Sequence, residues 1–368
     1  MRVAHLDTGR TWRGGQAQAL LLMRELRARG VDQLLLAPDG PLAERSLAQG
    51  FELERWSPAS ELDLVAVSHA RSLLKRFAPD VVHCHSAHAH ATGVPAARWA
   101  GVPAAVVSRR VDFRVRTNLG SRLKYALPVD RYLCISEGVR AAMLASGVPA
   151  TKLALVPSGV DLAEVRADAA RPAPALRTLA DLPPDAEIIG TVASLAPHKN
   201  HALLLDAARE VVTARPRAHF VWLGEGECRP ALERQRHALG LEARVHLLGF
   251  RDDARALLQQ FDVFALSSYL EGLCTSLLDA QVLGVPIVAT AVGGVPEVVS
   301  DDRTGCLVRA LEPSALARAL IGALSDPARR ARWAEAARGS VEAFGIAHTA
   351  ERTLAVYRQV LEGRAAAV

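Results

Sequence analysis

Val263-Phe264-Ala265-Leu266-Ser267-Ser268-Tyr269-Leu270-Glu271-Gly272-Leu273-Cys274-Thr275-Ser276-Leu277-Leu278-Asp279-Ala280 is the stretch on which the reading of the chain turns. Its four leading apolar residues predict a buried strand, Glu271-Gly272 a turn, and the run from Thr275 to Leu283 a helix. At such a helix start the backbone N–H groups of Leu273 to Ser276 are free donors, suited to a phosphate or sugar oxygen. Glu271 stands just before them and can accept from sugar hydroxyls. Asp279 lies one turn into the helix, where a carboxylate can hold a ribose diol.

The same strand, glycine turn and helix recur on either side. Ala289-Thr290-Ala291-Val292-Gly293-Gly294-Val295-Pro296-Glu297 repeats it, with Pro296 suited to a first helical turn. Gly190-Thr191-Val192-Ala193-Ser194-Leu195-Ala196-Pro197-His198-Lys199-Asn200 does so upstream and places Lys199, one of only four lysines in the chain, at a strand end. A compact ammonium there suits a diphosphate. A lysine at a helix start is otherwise disfavoured by the helix dipole.

Strands are expected at 188–192, 219–223, 245–248, 263–266, 287–289 and 305–307, separated by amphipathic helices. The first half repeats the alternation, with strands at 3–6, 33–37, 81–84, 104–108, 131–135 and 153–156 and a first helix over 16–29. Alternating βα units predict parallel sheets. A Pro- and Ala-rich break over 168–185 reads as an interdomain linker. The expected organisation is a domain over 1–170, a second over 171–345, and a terminal helix over 346–368 packing back on the first. Two open parallel sheets place a ligand cleft between their carboxyl ends.

The 368 residues suit two α/β cores. Met1-Arg2-Val3-Ala4-His5-Leu6-Asp7 reads as a first strand and not as a signal peptide. No apolar run reaches the ~18 residues of a membrane span. The five cysteines are scattered, which fits reduced thiols in a cytoplasmic protein. The formal charge of +5 is concentrated in part at Arg109, Arg110, Arg114, Arg116, Arg122, Lys124 and Arg131. Such a cluster seeks phosphate, an anionic lipid surface or nucleic acid. Only Phe113 and Tyr125 interleave it as stacking aromatics, so nucleic acid is not expected.

Two further motifs lie in the first half. Thr11-Trp12-Arg13-Gly14-Gly15-Gln16 follows the first strand and opens a helix, where glycines let backbone approach a ligand. Asp80-Val81-Val82-His83-Cys84-His85-Ser86-Ala87-His88-Ala89-His90 carries four histidines as a strand ends. A metal site wants ligands from at least two segments, and histidines along one strand splay apart. The expectation is no metal, with one histidine reaching the cleft. No Asp-x-Asp occurs, so no divalent metal is implied for the donor either.

In this order the motifs, with Ser136-Glu137-Gly138-Val139 and Pro157-Ser158-Gly159-Val160-Asp161, resemble glycosyltransferase family 4 over nearly the whole chain. The resemblance is to retaining GT-B enzymes, most of all bacterial ones that build lipopolysaccharide and other envelope glycans. It implies an α/β fold of two Rossmann-like, doubly wound parallel-sheet domains facing a central cleft, the first binding acceptor and the second nucleotide sugar. It implies a catalytic set of His88, Lys199 and Glu271. The implied donor set is Gly14, Gly15, Ser194, Lys199, Gly249, Phe250, Arg251, Glu271, Gly272, Leu273, Cys274, Thr275 and Asp279. Arg109, Arg110 and Arg114 are expected on the acceptor side.

The implied reaction moves a sugar from a nucleoside diphosphate sugar to an acceptor hydroxyl, with retention and without a cofactor. The implied partners are a glycan or lipid-linked acceptor and the anionic inner-membrane surface, on which a cytoplasmic protein would dock peripherally. Two departures stand out. Ser194 occupies a position where the family usually carries Arg, and Asp279 is one methylene shorter than the usual Glu. A non-catalytic sugar-nucleotide-binding scaffold and a sugar-nucleotide epimerase remain as alternatives.

Overall fold

The computed structural model describes residues 1–113, 115, 119–309 and 311–365. Contacts divide the chain into two units, Met1–Gly159 with Ile346–Val368, and Val160–Gly345.

The first unit holds β1 Arg2–Leu6, β2 Asp32–Ala37, β3 Glu52–Arg55, β4 Val81–Cys84, β5 Ala104–Arg109, β6 Arg131–Cys134 and β7 Leu153–Leu155. They pair in parallel in the order β3-β2-β1-β4-β5-β6-β7. The central strands are apolar on both faces because helices cover both. Val3, Ala4, Leu6, Val81, Val82 and Ala104 to Val107 are buried. The terminal helix Ile346–Ala365 belongs to this unit, where Leu354, Tyr357 and Val360 pack with Val3, Leu22, Val81 and Leu133 in one buried cluster.

The second unit holds β8 Glu187–Val192, β9 Ala218–Leu223, β10 Val245–Leu247, β11 Val263–Leu266, β12 Ile287–Thr290 and β13 Cys306–Val308. The parallel order is β10-β9-β8-β11-β12-β13. Its core gathers Ile189, Phe220, Trp222, Val263, Leu316, Leu320 and Trp333. Each sheet reverses its winding once, between β1 and β4 and between β8 and β11. Ligands of doubly wound sheets bind outside the carboxyl ends of the strands at such points.

Two features differ from the sequence reading. β3 is a short edge strand whose Glu52 and Arg55 are exposed, so it lacks the apolar alternation that reveals a strand. The contact division falls at 159/160, eleven residues before the break expected at 170/171. The helix Leu162–Ala169 packs on the helices Ala254–Leu258 and Thr275–Leu283, and its Asp168 accepts from Arg255 at 2.7 Å. Nor is the Pro-rich stretch simply a linker, since its short helix Leu176–Leu179 buries Leu176 completely.

Candidate active site

In the second unit, β11 ends at Leu266 and the helix Thr275–Leu283 begins on Cys274, which has a left-handed φ of 65° and no side-chain cap bond. Cys274 is thus not one of the oxygen-bearing side chains that usually close a helix start. Glu271, just upstream, is buried. Its Oε1 accepts from Lys199 Nζ at 2.6 Å and from Ser268 Oγ at 2.6 Å.

Lys199 closes the short 3₁₀ turn Pro197–Lys199 after β8. The Ser267 hydroxyl lies 3.0 Å from the carbonyls of Lys199 and Asn200, and the Tyr269 N–H donates to the His198 carbonyl. The two loops are thus tied at several points. Burial works against the Lys199 ammonium, but the Cys274 sulfur and the Glu271 carboxylate outweigh it and its pKa is raised. The Gly293-Gly294 turn joins them, with Gly294 N–H donating to the Glu271 carbonyl at 3.1 Å.

Three neighbouring loops stack beside this pair. Leu195 N–H donates to the Glu225 carbonyl, and Gly224 N–H donates to the Gly249 carbonyl at 2.8 Å. Ser194 and Gly249, both expected at the donor, are therefore linked through Gly224-Glu225, which the sequence reading passed over. Glycines after a strand at 224 and 226 were the available signal. Phe250 is 56% exposed. Arg251 is held by Asp253 through two hydrogen bonds of 2.8 and 2.7 Å, so it is not an uncommitted replacement for the arginine missing at Ser194.

Asp279 is engaged elsewhere. Arg255 reaches it at 3.4 Å and also binds Asp168 at 2.7 Å and Glu164 at 3.6 Å. Burial raises the Asp279 pKa, and the Asp168 and Glu164 charges add to that against the pull of Arg255. Neither Arg255 nor Ser268 was singled out in the sequence.

In the first unit, Asp7, His85 and Arg110 follow the ends of β1, β4 and β5. Asp7 Oδ1 accepts from the Gly9 N–H at 2.6 Å and from Gln16 at 3.0 Å. Gly14 and Gly15 open the helix Gly14–Ala28, and a Cβ on Gly15 would sit 3.7 Å from Arg110 Cδ. His88 is exposed in the first turn of the helix Ala87–Ala100. Arg109 donates to the Phe113 carbonyl. Arg114 lies outside the described residues.

The expectation that the clustered histidines come from one strand is corrected. β1 and β4 pair with His5 beside His83, and ring nitrogens of His5, His83 and His85 lie within 4.8 Å of one another. His5 was missed because only strand register brings it there.

These buried histidines make stability pH-dependent. Burial lowers His5 to about 4 and His90 to about 3 from the usual 6.5, and holds His83 and His85 well below it. Above pH ~6.5 folded and unfolded chains are both neutral at these rings. Between pH ~6.5 and ~4 the unfolded chain binds protons that the fold refuses, so stability falls as pH falls. Urea melts at pH 7 and pH 5 should differ by on the order of 1–2 kcal/mol per buried histidine. A flat profile would contradict the burial.

Comparison with known proteins agrees with this fold. The family model for glycosyl transferases group 1 matches residues 176–340, and that for glycosyltransferase family 4 matches residues 12–164. A D-inositol 3-phosphate glycosyltransferase of Kineococcus radiotolerans is 34% identical over 264 residues, 64% of this chain and 59% of that protein. The UDP-Gal:alpha-D-GlcNAc-diphosphoundecaprenol alpha-1,3-galactosyltransferase of Escherichia coli is 28% identical over 276 residues, 72% of this chain and 71% of its own. The match to the first of these thus spans less than two thirds of its length. The crystal structure of Anabaena Alr3699/HepE in complex with UDP-glucose superposes with a TM-score of 0.86 at 20% identity, covering 98% of this chain and all of its own. With both sheets of the GT-B fold present and both family models matched in order, the chain belongs to the family 4, group 1 glycosyltransferases.

Proposed function

We propose that the chain transfers a sugar from a nucleoside diphosphate sugar to an acceptor hydroxyl with retention of configuration, in the synthesis of lipopolysaccharide or another envelope glycan. The observation that carries the donor half is the buried Lys199–Glu271 pair beside the uncapped start of Thr275–Leu283. A buried ion pair gives little net stability, but it stores two groups a donor needs. On binding, the diphosphate takes the Lys199 ammonium and the first-turn amides, while a sugar hydroxyl donates to Glu271. The same positive groups then stabilise charge growing on the departing diphosphate. Asp279, under-compensated by Arg255, accepts from the ribose diol. No covalent nucleophile is assigned, no metal is required, and retention is carried over from the family resemblance.

The first unit is assigned the acceptor. Both relatives' names specify phosphate-bearing acceptors, an inositol phosphate and a diphosphoundecaprenol-linked sugar. Arg109 and Arg110 match that chemistry, and His88 is assigned to the donor sugar's side. Docking on the inner membrane is supported by the helix Leu119–Ala126, which has no buried residue and exposes Leu119 and Leu123 beside Arg122. Among the described residues no helix is long and apolar enough to cross a membrane.

The test is thermal melting with UDP, GDP, ADP, CMP and their common sugars, with and without EDTA. A ligand of the folded state raises the melting temperature. One nucleotide family should do so independently of EDTA, and Glu271→Ala should lose the rise. No rise with any nucleotide would sink the donor reading. A rise without transfer to any phosphorylated acceptor would leave a sugar-nucleotide-binding scaffold. Flotation with phosphatidylglycerol vesicles at low salt tests the membrane arm, and absence of binding would remove it.

A further inference from the structure

A buried line of polar side chains crosses four adjacent strands of the first sheet. Gln33 lies on β2, His5 on β1, His85 after β4 and Arg110 after β5, and these strands are neighbours in that order. The contacts are Gln33 Oε1 to His5 Nε2 at 3.0 Å, His5 Nδ1 to His85 Nε2 at 2.9 Å, and His85 Nδ1 to Arg110 Nη2 at 3.3 Å.

The protons on this line can be assigned from its two ends. The Gln33 amide nitrogen donates to the Met23 carbonyl at 2.9 Å, so its oxygen faces His5. An amide oxygen only accepts, which puts hydrogen on His5 Nε2. Burial keeps His5 neutral, so Nδ1 holds a lone pair and His85 Nε2 carries the hydrogen between them. At the far end a guanidinium only donates, which independently requires a lone pair on His85 Nδ1. Both ends give the same answer, and every link has one donor and one acceptor.

We infer that His5 and His85 are positioning residues, locked as Nε2–H tautomers between Gln33 and Arg110, that hold the Arg110 guanidinium at the carboxyl end of β5 for an anionic group of the acceptor. The choice of acceptor rests on the function proposed above, whereas the tautomer assignment does not. The three-histidine cluster is thereby committed. A neutral ring has one lone-pair nitrogen; that of His5 accepts from His85 and that of His85 accepts from Arg110, so neither faces an ion in this arrangement. His83 is satisfied apart from the line, by Tyr357 at 2.6 Å and Ser108 at 2.8 Å.

The test is histidine ¹⁵N NMR on the full chain at pH 7. Wild type should show His5 and His85 both protonated at Nε2 and unprotonated at Nδ1. Gln33→Met removes the acceptor at nearly constant volume; Arg110 still requires the lone pair on His85 Nδ1, so both rings should stay Nε2–H while His5 Nε2–H loses its acceptor and the line its anchor. Gln33→Glu keeps an acceptor and should keep both as Nε2–H. Inorganic phosphate, followed by its effect on the Arg110 side-chain signals, should bind about tenfold more weakly in Gln33→Met and recover in Gln33→Glu. The melting rise caused by the nucleotide should be the same in all three proteins.

His85 carrying Nδ1–H in wild type would overturn the inference whatever the variants do. So would Nδ1–H on either ring in Gln33→Met, or one equivalent of zinc co-purifying with shifts at all three rings. Correct tautomers with no phosphate effect at Arg110 would support the line and overturn the acceptor assignment alone.

Discussion

Lys199→Met is expected to lower sugar transfer by about 10²–10³-fold and to destabilise the protein by about 3 kcal/mol, whereas Lys199→Met combined with Glu271→Gln should regain most of the stability and none of the activity. The side chains of the pair are 14% and 6% exposed. Removing the cation leaves the Glu271 carboxylate buried without the charge that balanced it, the Ser268 hydroxyl still donating to it, which is the costly half-pair. Neutralising both members removes that cost, because Gln can still accept from Ser268. Activity cannot return, since neither new side chain offers a positive charge to a departing diphosphate. Urea melts and single-turnover transfer on the four proteins of the cycle separate the two effects, because the residues touch and their energies do not add. A double variant that transfers sugar normally would remove Lys199 from the mechanism. A single variant as stable as wild type would mean that Glu271 is not buried as described.

The residues that became this site differ in how far the sequence revealed them. The helix Thr275–Leu283 has the bounds expected from its glycine turn and apolar run, because both signals are local. The pairing of Lys199 with Glu271 spans 72 positions. It was legible only as two strand ends that the doubly wound order brings side by side. Asp279 was expected to hold a ribose diol, but Arg255, itself bound to Asp168, meets it from a helix whose packing no spacing announces. The histidines show the same limit. His83 and His85 were visible as a motif, yet their partners His5, Gln33 and Arg110 come from other strands, and only register sets which residues become neighbours. β3 escaped for the opposite reason, as an edge strand with little apolar signal to give.

Gly224→Ala should be the most damaging small substitution in the second unit, costing about 3 kcal/mol or more and lowering the melting temperature by about 6–12 °C. The chain leaves β9 at Gly224 with a φ of 154°, and a Cβ there would lie 1.9 Å from the Ala193 carbonyl oxygen and 2.8 Å from its carbon. Neither side can yield cheaply. Ala193 N–H is bonded to the Leu223 carbonyl at 3.1 Å, and Gly224 N–H to the Gly249 carbonyl at 2.8 Å. Relief requires the loops after β8, β9 and β10 to part, and those loops carry Ser194, Gly249 and the approach to Lys199. The nucleotide-induced melting rise should therefore vanish along with the stability. Gly240→Ala is the control: its φ of 65° is also left-handed, but nothing lies within 4 Å of the added carbon. It should cost only the backbone strain of about 1–2 kcal/mol and leave nucleotide binding intact. If the two variants melt alike and both bind nucleotide, the close approach of the β8 and β9 loops is not what shapes the donor site. If only Gly224→Ala loses binding, the glycine is there because two backbones must touch for the site to exist.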